Sequence, residues 1–431
     1  MKIFTHTKDV AQKSGKETLV NGFVQTLRIQ SKVIFLILRD TTGTLQCVIE
    51  RGTDVFKIAS EISIESVVSI SGLVKKQDTA PGGFEILVRG IEVLSRSRPE
   101  IPIPVVTLKG GEETDAPIRY DYRWIDLRKP EKAKIFKIWT EFERGFRDYW
   151  LKNNFIQIYT PSFMSAPSES GSDVFEVDYF DRKAYLAQSP QFYKQMAIAA
   201  GFERVFMAGP VFRAEPSFTT RHLTEFTGWD FEVAFIESHH DLMDLEEDMV
   251  ISGFAAVLKS YPDTPITIPK KPFPRLSMIE VKKVLKSRSV ASPEENDLSP
   301  EEERAISDHI RTSTNHEFVF ITDYHKSKSA FYHMRHEDDD IYSKRADLIY
   351  RGVEVTTLAQ REHRPEILEK QAKEKRLDLN QLKDYIDFFR YGCPPHGGAG
   401  IGPGRFIMKM LNLENVREAT FLPRDVKRLN P

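Results

Sequence analysis

Residues 205–232 read VFMAGPVFRAE-PSFTTRHLTEF-TGWDFE. Two apolar runs, Val205–Ala214 and Phe226–Ala234, flank a polar loop that carries Arg221 and His222. Strands joined by so short a connection pair antiparallel, because a parallel pair needs a long crossover. Upstream, Ile135, Ile138, Phe142, Phe146 and Trp150 recur at helical spacing and predict a helix over Pro130–Leu151. Further strand-like runs follow at Phe155–Tyr159, Phe175–Tyr179, Phe318–Thr322 and Asp347–Val355, with helices at Gln191–Ala200 and His240–Tyr261. Residues 287–308, with a core rich in Ser, Asp and Glu, read as a solvated excursion. The pattern predicts an α+β fold, an antiparallel sheet flanked by helices.

The N-terminal part has a different grain. Leu19–Arg28, Val33–Arg39, Leu45–Glu50, Ser66–Val74 and Phe84–Val93 are short β-rich runs, separated by turns such as Asp40-Thr41-Thr42-Gly43. They suit a five-stranded OB-type barrel, with an SH3-like barrel or half a sandwich as the alternatives. Residues 98–118 are rich in Pro and Gly and carry no steady period. The expected division is a barrel over 1–100, a hinge or linker over 101–130 and a larger domain over 131–431.

Lys plus Arg number 61 and Asp plus Glu 63, a net charge of −2 in 431 residues. This excludes a polycation and an acidic tail, but not a nucleic-acid partner, which needs only a local basic patch. No run is long enough to span a bilayer, and the first residues hold no apolar signal core. Cys47 and Cys393 offer no disulfide framework and no zinc pattern, so a reducing cytoplasm is the expected setting.

Four segments carry chemistry. Arg213 stands among apolar neighbours, where a guanidinium needs an anion: a phosphate or carboxylate ligand, or an internal partner such as Glu215 or Glu232. The segment Tyr391-Gly-Cys-Pro-Pro-His-Gly-Gly-Ala-Gly-Ile-Gly-Pro-Gly-Arg405 runs into a helix expected at Phe406–Leu413. Its glycines permit close backbone approach to a ligand or make a tight structural turn. Asp347 and Glu354 are seven apart, on opposite faces of an unbroken strand unless Gly352 marks a bulge; together they suit Mg²⁺, with the acidic run Glu337–Asp340 as the rival. Gln188-Ser-Pro-Gln191-Phe-Tyr-Lys194-Gln195 stands at a helix entry, where Lys194 is either functional or simply exposed.

Taken together, these segments resemble the class II aminoacyl-tRNA synthetases of the aspartyl, asparaginyl and lysyl subgroup (IIb). Phe155–Pro161 resembles motif 1, which in that family builds a homodimer. FRAE…TRHL resembles motif 2, and the glycine segment ending in Arg405 resembles motif 3. The QSPQ-x-x-KQ run and Gln360-Arg361 are most similar to the aspartyl enzymes of archaeal and eukaryotic type. The resemblance implies an aspartate site of Glu169, Gln191, Lys194, Asp230 and Arg361, with Glu169-Ser-Gly-Ser172 as a closing loop. It implies that Arg213 and Arg405 are catalytic and contact ATP. Glu215, Arg221, His222, Leu223, Glu354 and Gly402 would complete the ATP site. It implies Mg²⁺ at Asp347, Glu354 and Thr357, and anticodon contacts from Arg28, Phe35 and Gln46 on the barrel. The implied activity charges tRNA for aspartate, with tRNA for asparagine as a second candidate acceptor.

Some positions depart from the family pattern. Thr357-Leu358 stands where Ser-Gly is common, Pro403-Gly404 replaces Leu-Glu, and Phe23 lies where Trp or His is usual. The residues leave open a tRNA-independent ATP-dependent ligase, an asparaginyl enzyme, and a non-enzymatic nucleic-acid-binding module.

Overall fold

The computed structural model describes residues 3–106, 112–167 and 174–430. The chain divides into two compact units, Met1–Ala133 and Lys134–Pro431.

In the first unit β1 (Glu17–Ile29), β2 (Val33–Arg39), β3 (Thr44–Glu50), β4 (Val67–Lys76) and β5 (Phe84–Ser95) close into a barrel in the order β1-β2-β3-β5-β4. Helix α1 (Asp54–Ser60) connects β3 to β4, and closure is made by parallel pairing of β3 with β5. This is the OB arrangement. Strict alternation drives it: Ile34, Leu36 and Leu38 are buried, while Phe35 and Ile37 face outward. The Asp40 turn is pinned by its own carboxylate. That group accepts from Thr7 N at 2.8 Å, Thr7 Oγ1 at 2.7 Å, Thr42 N at 2.7 Å and Gly43 N at 3.0 Å.

The segment read as a hinge contains ordered structure. Its later part forms helical turns at Ala116–Asp121 and Arg123–Asp126. Asp126 is fully buried and accepts from Arg123 NH1 at 2.7 Å. Glu65 is also buried; it holds Arg39 at 3.0 and 2.8 Å and Arg128 at 3.1 Å. Arg128 in turn lies 4.6 Å over the ring of Phe23. A linker reading based on Pro and Gly content cannot see such buried charge pairs.

The second unit is built on an eight-stranded sheet. Its strands are β6 (Ile156–Gln157), β7 (Arg204–Phe212), β8 (Glu225–Ala234), β9 (Arg275–Ser277), β10 (Phe318–His325), β11 (Tyr342–Tyr350), β12 (Val353–Gln360) and β13 (His396–Ile401). The order is β9-β10-β11-β12-β13-β8-β7-β6; only the outermost pair at each end is parallel. Helices α2 (Pro130–Lys152), α3 (Gln191–Ala199), α4 (His239–Ser260), α5 (Pro300–Thr314) and α6 (Pro403–Met410) accompany it. The core joins α2, α4, α6 and the sheet through Phe142, Phe146, Trp229, Phe254 and Phe406.

Four expectations change. The run Asp347–Val355 is not one strand but a hairpin of β11 and β12, turning on Arg351 (φ 46°) and Gly352 (φ 77°), the positive-φ pair that a two-residue turn requires. The motif 1 strand shrinks to Ile156–Gln157. The glycine segment is a central strand, β13, and the helix after it starts earlier, with Pro403 at its first position. Residues 300–308 belong to α5, which starts on a capping box of Ser299 with Glu302 and buries Ile306.

Helices α2 and α4 meet at a glycine pair. A Cβ on Gly145 would lie 2.5 Å from Ser252 O and 2.7 Å from Gly253 Cα, both backbone atoms that cannot step aside. Gly145→Ala is therefore expected to destabilise by about 1–3 kcal/mol despite alanine's better helix propensity. A raised Tm in thermal unfolding would show that the helices are not in close contact. In the barrel, burial pushes the Asp40 carboxyl up, but its hydrogen bonds from Thr7 and Thr42 outweigh this and hold it at about 2. Its contribution is present above the ordinary carboxylate range and is lost as pH falls toward 2. Asp40→Asn should cost about 1–2 kcal/mol at pH 7 and less as pH falls. Urea unfolding at pH 7 and pH 3 would show equal losses if the contact is unimportant.

Candidate active site

Side-chain direction follows from sheet register. Asp230 pairs with Gly400, Gly400 with Thr357, and Thr357 with Asp347, so the four form one row across β8, β13, β12 and β11. The next row on the same face runs from Glu232 through Gly398 and Ala359 to Arg345. Glycine in the middle of each row leaves a trough. It opens into a cavity of about 940 Å³ lined by, among others, Gln191, Arg213, Arg221, Asp230, Glu354, Arg361 and Arg405.

At one end of the trough sit two buried cations. Lys194, on α3, gives Nζ to Asp230 Oδ2 at 2.7 Å and to Ala399 O at 3.1 Å, and lies 3.3 Å from Glu232 Oε2. Arg361, just past β12, grips Glu232 through Nε at 2.9 Å and NH2 at 3.3 Å, and reaches Gly398 O at 2.9 Å. Burial raises the Glu232 carboxyl, but Arg361, Lys194 and His396 overcome this and hold it low; Asp230 is pushed up by burial, with Glu232 adding to it. Behind them Gln191 Nε2 donates to Gln195 at 2.9 Å, and Gln195 lies 2.9 Å from His396 Nε2. The other nitrogen of His396 faces Pro394 O at 2.8 Å, which fixes the tautomer of a ring that burial pushes down to about 4.

The other end carries the guanidinium groups. Arg213 stands one residue beyond β7, and its side chain is 43% exposed, 3.8 Å from Glu215. It is thus not the buried strand residue that its apolar neighbours predict. Arg221 pairs with Glu303 of α5, and Arg405 of α6 gives NH1 to Glu354 O at 2.9 Å and Oε1 at 3.3 Å. His222 is pushed down to about 4 by burial and by Arg405, Arg221 and Arg213, so it faces the cavity as a neutral ring, bonded to Thr219 at 2.6 Å. Leu223 and Gly402 complete this part of the wall.

Asp347 and Glu354 come near each other, through a bulge placed differently from expectation. The register slips between Leu348 and Ile349, so Val355 has no partner on β11 and Glu354 turns toward Thr357, at 3.4 Å. Glu354 and Thr357 line the cavity. Asp347 does not: it is buried, with its oxygens on Arg345 at 3.1 and 2.7 Å. Burial and Glu354 push Asp347 up, whereas Glu354 is held low by Arg405 and Arg345 against its own burial. The oxygen-bearing wall suits a hard divalent cation. Among the described residues, no three His, Cys, Asp or Glu side chains converge as a ready metal cage.

Glu169 and Ser172 lie outside the described residues. On the barrel, Arg28 pairs with Phe35 across β1 and β2, and Gln46 pairs with Ile37 across β2 and β3. These put Arg28, Phe35 and Gln46 on one outward face, so Phe35 is not core. Gln46 donates to Glu85 at 3.0 Å.

Sequence reading missed Glu232 as the shared partner of both cations, Arg345 as the partner of Asp347, and Glu303. The first two stand two residues from Asp230 and Asp347, a period-2 signal that was there to be used. Glu303 gives no local signal.

Comparison with known proteins agrees with this fold. Residues 115–426 match the family model "tRNA synthetases class II (D, K and N)", and residues 18–94 match "OB-fold nucleic acid binding domain". The chain is 39% identical to the aspartate–tRNA(Asp/Asn) ligase of Aeropyrum pernix, covering 97% of this chain and 98% of that one. It is 40% identical to the aspartate–tRNA(Asp) ligase of Thermoplasma volcanium, covering 96% of each. Its fold superposes on the asparaginyl-tRNA synthetase of Pyrococcus horikoshii in complex with asparaginyl-adenylate with a TM-score of 0.92, at 31% identity and with all of both chains covered. An OB barrel followed by this sheet, with paired cations at one end of a glycine trough and guanidinium groups at the other, places the chain in the class II tRNA synthetases of the D, K and N group.

Proposed function

We propose that the protein is an aspartyl-tRNA synthetase that activates L-aspartate with ATP and transfers it to tRNA. The observation that carries this reading is the shared hold of Lys194 and Arg361 on Glu232 beside the cavity. Two cations and two carboxylates, Asp230 and Glu232, make that corner neutral. An incoming ammonium group would take Asp230, which frees Lys194 for the substrate's side-chain carboxylate. A neutral amide would leave a buried cation underpaired, and sites of this kind reject the wrong analogue by about 10⁴ or more.

The first step forms a bond from the aspartate α-carboxylate to the α-phosphorus of ATP and expels pyrophosphate. In the second, the terminal ribose hydroxyl of tRNA attacks the activated carbonyl and AMP leaves. Neither step needs a protein nucleophile. They need alignment and neutralisation of spreading negative charge. Arg213, beside the trough, would hold the α-phosphate and the attacking carboxylate. Arg221, neutral His222 and Arg405 would hold the β- and γ-phosphates. Glu354 and Thr357 would hold Mg²⁺, which when bound neutralises the phosphates; Asp347 would act behind them through Arg345. Glu169 would join Asp230 in binding the substrate's ammonium group.

Arg28, Phe35 and Gln46 form a basic, aromatic and amide face on the barrel, suited to unstacked anticodon bases. A homodimer fits the edge of β6, which pairs with no further strand among the described residues and where Ile156 is exposed, followed by exposed Tyr159. No described helix is long and apolar enough to cross a membrane. We place the protein in the cytoplasm because its tRNA substrates are there.

The test is pyrophosphate exchange with aspartate or asparagine, then charging of purified tRNAs for aspartate and asparagine. Aspartate-dependent exchange and charging of the first tRNA are expected; charging of both would define a relaxed enzyme. Exchange that prefers asparagine would overturn the reading. Arg213→Ala should lower the exchange kcat by about 10²–10³ while the aspartate KM moves little. Equal losses in both would remove Arg213 from the transition state.

A further inference from the structure

Glu303 sits in the first turn of α5, within the charge-rich stretch that sequence alone reads as solvated. Acidic residues in a first turn commonly serve the helix itself. Here Glu302 performs that service: it accepts from Ser299 N at 2.8 Å and takes Lys282 at 2.7 Å. Glu303 is instead buried and turns to Arg221, its sole ion-pair partner among the described residues. It is also close enough to Glu354 and Arg405 to feel their charges. A buried carboxylate held by one guanidinium is strongly disfavoured if that contact is lost. Only NH1 of Arg221 is engaged; Nε and NH2 have no partner among the described residues, and the side chain lines the cavity. Glu303 thus holds one edge of the guanidinium fork and leaves the other edge free.

We propose that Glu303 is a positioning residue for Arg221, fixing its guanidinium so that the free edge meets the terminal phosphates of ATP. The proposal rests on the assignment of Arg221 to those phosphates. The binding surface for the nucleotide would then draw on α5 as well as on the loop between β7 and β8 and on α6.

The experiment is pyrophosphate exchange on the full-length enzyme carrying Arg221→Ala, Glu303→Ala, Glu303→Gln or the double alanine substitution. Glu303→Ala is expected to raise the ATP KM about tenfold, with the aspartate KM unchanged and kcat within about twofold. Glu303→Gln, which keeps an acceptor oxygen but no charge, should fall between wild type and Glu303→Ala. The double variant should be no worse than Arg221→Ala alone, because Glu303 acts through that side chain. A structural role would instead lower Tm and multiply with the loss from Arg221→Ala. An unchanged ATP KM in Glu303→Ala and Glu303→Gln, with a raised one in Arg221→Ala, would overturn the Glu303 proposal alone. An unchanged ATP KM in Arg221→Ala would overturn both the phosphate assignment and the proposal.

Discussion

Glu232 holds Arg361 through both carboxylate oxygens and stands 3.3 Å from Lys194. It is fully buried, so removing it would strand both cations in a low dielectric, and removing either cation would leave a buried carboxylate underpaired. The arrangement fixes the relative positions of α3, β8 and the end of β12, because each supplies one member. Everything at this end of the trough inherits its geometry from that carboxylate. The backing chain from Gln191 through Gln195 to His396 orients the same corner from behind. A neutral His396 suits this place, since a third cation would compete for Glu232.

The same logic extends along the cavity. Arg213 has Glu215, Arg221 has Glu303, Arg405 has Glu354 and Arg345 has Asp347. Each cation is matched by a carboxylate, so the guanidinium groups are held apart from one another without a polyanion between them. A carboxylate occupies at most two of the five N–H donors on a guanidinium. On Arg221, whose Nε and NH2 have no partner among the described residues, the rest would be available to an incoming phosphate under the proposed function. Such pre-orientation lowers the reorganisation that a developing charge would otherwise demand. It would also let a nearly neutral chain hold the strongly anionic ligand of the proposed function: the positive field is local and is built from pairs rather than from an excess.

The fold was legible wherever periodicity was strong. Ile34, Leu36 and Leu38 alternate cleanly in the barrel, and Ile135 to Trp150 mark the buried face of α2. The alternation also places Phe35 outward, and its aliphatic neighbours only obscured this. Most of the residues that the family motifs name gather around one cavity, but their pairings were poorly legible. Arg361 and Glu232 are 129 residues apart, and Arg221 and Glu303 are 82 apart. No local pattern encodes a contact at such separation. Arg213 misled because apolar neighbours on a strand imply burial, whereas the strand ends one residue earlier. The carboxylates Asp347 and Glu354 misled in the opposite way. A bulge does bring them together, but at Val355 in a hairpin, where the register of two strands decides the outcome.

The glycines of β13 then acquire a different meaning from the one their sequence suggests. Close approach to a nucleotide would be one use for them. The structure gives a nearer one: a Cβ on Gly398 would lie 2.0 Å from Phe231 O and 2.3 Å from Glu232 Oε2, and one on Gly397 would lie 2.7 Å from Ala359 O. A side chain at either position would expel the carboxylate or part the strands. Gly400, by contrast, has ordinary clearance and faces the cavity, where its lack of a side chain keeps the floor low between Asp230 and Thr357. The glycine strand therefore serves the ligand mostly through Glu232. It makes room for the anion that holds the two cations, and under the proposed function those cations would distinguish an acid from its amide.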